Sequence, residues 1–177
     1  MTLNFNQQNL EGSELVYHAE GVQNTIDVMR SPSGATALVI GGNVEADNSY
    51  RQRRHFVLKG HLPLLFLAEP KSVLVVGLGM GITLQATARH PGLERIDVVE
   101  LSPEILEAQS QLGETNGHVI ENPLVHVRID DVPRSRASAT STLQNTIARF
   151  AIVSPKAVSS ASGCLRTRSR RCAFALR

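Results

Sequence analysis

The sequence predicts an α/β fold: a nucleotide-binding strand–helix–strand core with a parallel sheet, preceded by a small antiparallel β domain. Three observations predict it. The first is the stretch from Lys71 to Glu100, KSVLVVGLGMGITLQATARHPGLERIDVVE. Its apolar run Ser72–Val76 is β-branched and too short for a helix, so it reads as a strand buried on both faces. Gly77, Gly79 and Gly81 follow at alternate positions, then a helical pattern over Ile82–His90 stopped by Pro91-Gly92, then a strand over Arg95–Val99 that ends on Glu100. The second is another apolar run, Leu124–Ile129, ending on Asp130-Asp131 as a third parallel strand. The third is upstream, where short alternating runs are separated by turn residues.

Each part of the central unit has a physical reason. Glycines let the chain turn sharply off the first strand and let a ligand approach the backbone with no Cβ in the way. The helix N-terminus that follows offers free N–H groups and a partial positive charge. Glu100, at the carboxyl end of the next strand, can accept both hydroxyl protons of a ribose, so the ligand lies across the carboxyl ends of the strands. A dinucleotide fingerprint needs Gly or Ala in its sixth place, which here is Ile82. The Gly-x-Gly-x-Gly form resembles S-adenosylmethionine-binding enzymes instead.

Composition narrows the field. A chain of 177 residues is one domain with a small appendage. No apolar run approaches the roughly 18 residues of a membrane span. The polar start MTLNFNQQNLEGSE has no basic n-region, so the expected location is cytoplasmic. Cys164 and Cys172 fit no zinc spacing and no disulfide framework, and no metal is expected. The net charge of +2 hides a division. Residues 1–131 hold all 16 acids and nine basic residues, a net −7, whereas residues 132–177 hold nine basic residues and no acid.

Taken in order, residues 1–13 are polar and predicted disordered. Residues 14–48 form the antiparallel unit: strands over Glu14–His18 and Val22–Met29, a turn at Ser31-Pro32-Ser33-Gly34, a strand over Ala35–Ile40, and a short one over Val44–Ala46. Residues 49–131 form the Rossmann-like core. It opens with a helix from Ser49 to Leu67, capped by Ser49 or Asn48, with Arg51, Arg53 and Arg54 as a solvated face. Phe56, Leu58, Leu62 and Leu65 are its apolar side, and Pro63 is a kink or break. Ser102-Pro103-Glu104 starts the next helix, with Ile105, Leu106 and Leu112 inward and Asn116-Gly117 as its end. Beyond Val132 the alternation fades, although Ile147–Val153 is compatible with a strand.

Together these residues resemble the polyamine synthase family, the aminopropyltransferases exemplified by spermidine synthase, and within it the domains fused to membrane transporters. The resemblance covers about residues 14–131 and rests on order: an N-terminal β-hairpin unit, HLPLLFLAEPKSVLVVGLGMG, ERIDVVELSPEI and NPLVHVRIDD. It implies an S-adenosylmethionine-methyltransferase-type fold. It also implies transfer of an aminopropyl group from decarboxylated S-adenosylmethionine to a diamine, leaving methylthioadenosine, and a homodimer. At matching positions it implies that Gln23 reaches the nucleoside, that Gly77, Gly79 and Gly81 line the thioadenosine site, and that Glu100 holds the ribose. Asp131, preceded by Asp130, would contact the adenine region, and His55 would lie on the substrate side.

Departures from the family pattern bear on activity. Met80 stands where the family has an Asp that grips the donor's amine. Arg54 and Phe56 replace the Tyr and Glu that flank the matched His55, and Ser102 replaces an acid. The catalytic Asp follows the fourth parallel strand in a Tyr-Asp-Val-Ile-x-x-Asp motif, and no match to that motif is read here. That Asp deprotonates the attacking amine, a task that needs a carboxylate, and residues 132–177 contain none. The expectation is therefore a reading-frame change near Val132 and a protein inactive as it stands. Two alternatives stay open: an S-adenosylmethionine-dependent methyltransferase, and a nucleic-acid-binding protein using Arg166, Arg168, Arg170 and Arg171.

Overall fold

A computed structural model of the chain describes residues 12–130 and the backbone of Ile152–Val153. The frame position near Val132, the basic tail and Asp131 lie outside the described residues.

The antiparallel unit is a four-stranded sheet in chain order: β1 (Glu14–Glu20), β2 (Thr25–Arg30), β3 (Thr36–Ile40) and β4 (Asn43–Asp47). Alternation puts Ile26, Val28, Leu38 and Ala46 on its buried face. The second strand begins at Thr25, not at Val22 as read from the sequence. Gly21 N–H donates to Asn24 C=O at 3.0 Å, closing a turn that carries Val22 wholly into solvent.

Helix α1 (Tyr50–Leu65) corrects three expectations. Pro63 does not split it; the helix runs through Pro63 and ends two residues later. Arg53 is not solvated: its guanidinium donates to Thr115 C=O at 2.8 Å and to Gln85 Oε1 at 3.1 Å. The buried side is Gly60 and Leu64, whereas Leu58, Leu62 and Leu65 point outward. Gly60 decides this orientation. A Cβ there would sit 2.6 Å from Thr83 O and 2.8 Å from Ala86 Cβ, so its bare Cα lets α1 seat directly on the next helix, α2 (Ile82–Ala88).

The parallel sheet holds β5 (Ser72–Val76), β6 (Arg95–Glu100), β7 (Val125–Ile129) and β8 (Ile152–Val153), in the order β7-β6-β5-β8. The chain steps outward from β5 through β6 to β7 and returns to the other side of β5, where Leu74 pairs with Ile152. That reversal makes a switch point beside β5, with a crevice at the strands' carboxyl ends. Val73, Val75, Ile96 and Val98 are fully buried, in one core with Leu64, Leu84 and Leu112. The helix after β6 breaks at Ala108 into α3 (Pro103–Glu107) and α4 (Gln109–Asn116). Ile105 and Leu112 face inward as expected and Leu106 is half-buried. Gly117, at φ +66°, ends α4 where the sequence placed the break.

Candidate functional site

A cleft of about 590 Å³ opens between the two sheets at the carboxyl ends of β5 and β6. Its floor is the glycine turn and the start of α2, from Val76 to Thr83. One wall is Val99 to Ile105 with Asp130, and the opposite wall comes from the antiparallel sheet and its β1–β2 turn, Gly21 to Asn24.

The turn needs its glycines. Gly77, Gly79 and Gly81 have φ of +85°, +52° and +77°, a region that costs residues with a Cβ. At Gly79 a Cβ would meet nothing within 4 Å, so that position faces open space. At Gly81 it would lie 2.7 Å from Asn116 Nδ2 and 3.0 Å from Gln109 Oε1. Those two side chains, both almost wholly buried, brace the turn from behind. Gln109 Nε2 donates to Gly79 C=O at 2.8 Å, Asn116 Nδ2 to Met80 C=O at 3.0 Å, and Asn116 Nδ2 also to Gln109 Oε1 at 2.8 Å.

Glu100 closes the turn from the other side. Its Oε2 accepts the Leu78 N–H at 2.6 Å, and its Oε1 accepts those of Leu101 at 2.7 Å and Ser102 at 3.1 Å. A carboxylate 6% exposed therefore has three backbone donors and still lines the cleft. Gly77 N–H reaches Val99 C=O at 2.8 Å, fixing the glycine bend beside the end of β6.

A clasp joins the antiparallel sheet to α3. The Tyr17 hydroxyl lies 3.2 Å from Glu104 C=O and 3.1 Å from Glu107 Oε2. Burial, and then the bond to Glu107, push the Tyr17 phenol up from its ordinary value. Ser102 occupies the expected cap position of α3, but its hydroxyl bonds the Glu104 carboxylate, and this bond is the main reason that acid is held below its ordinary value. Arg30 adds a link to Gln111 C=O at 3.2 Å.

The structure brings Gln23, Gly77, Gly79, Gly81, Glu100 and Asp130 to one cleft. It does not bring His55, which is exposed on α1, while its neighbour Phe56 lines the cleft. Burial first, and the Lys59 charge second, lower the His55 pKa. Sequence reading missed Tyr17, Asn24, Glu45, Gln109 and Asn116. Gln109 and Asn116 share one helical face at i and i+7; of the two, only Asn116 is read from the sequence, as part of a helix end. Among the described lining residues four are acidic (Glu45, Glu100, Glu104 and Asp130) and none is Lys, Arg or His. Among the described residues no group of three or more His, Cys, Asp or Glu could hold a metal ion, and no helix is long and apolar enough to cross a membrane.

The family model described as the spermine/spermidine synthase domain matches residues 57–153. The chain belongs to that family. The match crosses Val132 and ends on β8, so the family signal continues past the point where acids stop. The polyamine aminopropyltransferase 1 of Aquifex aeolicus (strain VF5) is 29% identical over 119 residues, 67% of this chain and 42% of its own. Spermidine synthase 2 of Datura stramonium is 28% identical over 125 residues, 69% of this chain and 38% of its own. The polyamine aminopropyltransferase of Mycobacterium tuberculosis (strain ATCC 25618 / H37Rv) is 45% identical over 62 residues, 34% of this chain and 12% of its own. Spermine/spermidine synthase domain folds also match in solved structures. The spermidine synthase of Thermotoga maritima superposes with a TM-score of 0.62 at 19% identity, covering 70% of this chain and 44% of that one. A spermidine synthase in complex with the transition state analogue AdoDATO gives 0.59 at 20% identity, covering 66% and 39%. The chain thus spans less than half the length of these relatives.

Proposed function

We propose that the cleft binds an adenosine carrying sulfur at its 5′ position, of the decarboxylated S-adenosylmethionine or methylthioadenosine type, in a spermidine synthase-like aminopropyltransferase domain. The observation that carries this reading is the Glu100 carboxylate, anchored on the glycine turn and facing a cleft whose described lining residues include four acids and no base. Such a site repels phosphate and favours a sulfonium or ammonium ligand. Glu100 would take the ribose hydroxyls, Gly77, Gly79 and Gly81 would let the nucleoside lie against backbone, and Gln23 would reach over it from the β1–β2 turn. Asp130 and Asp131 would flank the base, a polyamine would be the acceptor, and His55 would have no direct role. The division at residues 14–48 and 49–131 follows from the same reading.

In the same reading the chain as it stands does not transfer. Aligning the family's Tyr-Asp-Val-Ile-x-x-Asp motif on Ile152-Val153 sets Phe150 at Tyr, Ala151 at the first Asp and Lys156 at the second. A lysine cannot stand in for a carboxylate base toward a cationic diamine. The first acid is therefore replaced within a match that runs in frame to residue 153, and the second just beyond it; sequencing the gene tests the frame change expected near Val132: no other frame encoding such a strand would end that part. Met80, buried in the cleft floor, keeps a second reading open, that of intact S-adenosylmethionine in a methyltransferase. A thermal-shift comparison tests the choice. Methylthioadenosine and the decarboxylated donor should raise the midpoint more than S-adenosylmethionine does, and incubation with donor and a diamine should release no methylthioadenosine. The reverse ranking would replace the first reading by the second.

A further inference from the structure

Helix packing sets two of the chain's six histidines ring to ring. The centroids of His61 and His90 are 6.3 Å apart, with the planes tilted by 46°. Gly60 sets this spacing. Its bare Cα lets α1 come down on α2 beside Thr83, Ala86 and Thr87, and His61 is the next residue along. The chain leaves α2 just beyond that contact: His90 N–H donates to Thr87 C=O at 3.0 Å, and Pro91 follows. Both rings are half-buried. His90 Nδ1 is buried and meets no hydrogen-bond partner among the described residues. Native proteins leave few buried polar atoms unmet, so this nitrogen points to a group outside the polypeptide. The rings do not serve each other: at this centroid distance their nitrogens come no closer than about 4 Å, beyond a hydrogen bond.

We propose that His61 and His90 together hold a divalent cation of the imidazole-preferring kind, such as zinc, between α1 and the end of α2. An ion bonded to two nitrogens at about 2.1 Å each spans up to about 4.2 Å between them, and a tetrahedral angle needs roughly 3.4 Å. Turning the half-buried His61 ring supplies that closure. His90 stands two residues past the end of α2, where the helix carries partial negative charge and a cation is favoured. Imidazole is a ligand for zinc, copper and nickel, not for magnesium or calcium. Among the described residues no third His, Cys, Asp or Glu joins the pair, so water completes the shell and the ion binds at about 10–100 µM and exchanges. Bound there it ties α1 to α2 and stabilises the fold by mass action. Neither histidine lines the cleft, so this site is separate from the proposed nucleoside site.

Zinc chloride titrated into the full ¹⁵N-labelled chain, followed on the histidine ring nitrogens, tests this. The signals of His61 and His90 should move together and saturate with one dissociation constant of about 10–100 µM. EDTA should reverse the change, and magnesium should not produce it. His61→Gln should weaken zinc at His90 at least tenfold, and His90→Gln should do the same at His61. If either variant loses helical circular dichroism, the wild-type titration decides alone. Thiolates also take zinc, so the titration is repeated with Cys164→Ser and Cys172→Ser combined, and the two ring signals should respond as before. No movement at about 1 mM zinc, the result of a bridging water alone, overturns the proposal. Movement of one ring only, two separate constants, affinity at one ring indifferent to loss of the other, or loss of the response with the cysteines would overturn it equally. None of these readouts depends on what the cleft binds.

Discussion

Replacing Glu100 by Gln probes fold and site together. The carboxylate accepts three backbone N–H groups at 2.6, 2.7 and 3.1 Å. Glutamine has one acceptor oxygen. Turned toward Leu101 and Ser102, it keeps two of the three bonds and sets its own NH₂ against the Leu78 N–H. A buried donor left facing a donor costs about 1–3 kcal/mol, and the two surviving bonds lose the strength that charge adds, another ~1 kcal/mol. Water in the cleft recovers part of this, so the net loss in unfolding free energy is about 2–3 kcal/mol. Urea denaturation monitored by circular dichroism reads it directly as a lower midpoint at unchanged slope. In the proposed role the same change removes a bidentate hold on the ribose, and methylthioadenosine affinity falls about 10²-fold. A variant within about 0.5 kcal/mol of wild type that binds as tightly would refute the reasoning, since neither the turn nor the ligand would then depend on the charge.

Other perturbations should give distinct results. Gly60→Ala drives a methyl into Thr83 O and Ala86 Cβ, so α1 must lift from α2, with a loss of about 2–3 kcal/mol in urea unfolding. Asn116→Ala removes the donor to Met80 C=O and the partner of Gln109; hydrogen exchange at the amides of residues 78–82 should quicken at least tenfold, with a loss of about 1–3 kcal/mol. The phenol of Tyr17 should titrate above its ordinary value near 10, seen as a late rise in ultraviolet absorbance that Tyr17→Phe abolishes. Because the folded value is the raised one, the Tyr17 contribution is complete below pH ~10 and is lost as pH rises through the folded value.

Much of the fold was legible in the sequence because burial imposes itself on pattern. Ser72–Val76 had to be a central strand, since five such residues bury on both faces only in a parallel sheet. The glycine turn and Glu100 were legible because positive φ and a strand-terminal acid each leave a residue type behind. The face of α1 was misread because Leu58, Leu62 and Leu65 look like a core stripe, while the residue that seats the helix, Gly60, has no side chain to count. Arg53 was misread for a related reason: nothing local announces that its guanidinium reaches Thr115 and Gln85, 62 and 32 residues away in the chain. The brace of Gln109 and Asn116 was invisible because buried amides are recognised only by the backbone groups they meet. The fourth strand was faint because two paired residues carry no period.

Calorimetric titration of the chain with methylthioadenosine tests the central claim most directly. One site per chain is predicted, with a dissociation constant of about 1–100 µM, no heat from ATP or NAD, and an affinity for methylthioadenosine about 10²-fold weaker with Glu100→Gln. Absence of heat at about 1 mM ligand, or equal binding of the phosphorylated nucleotides, would contradict it.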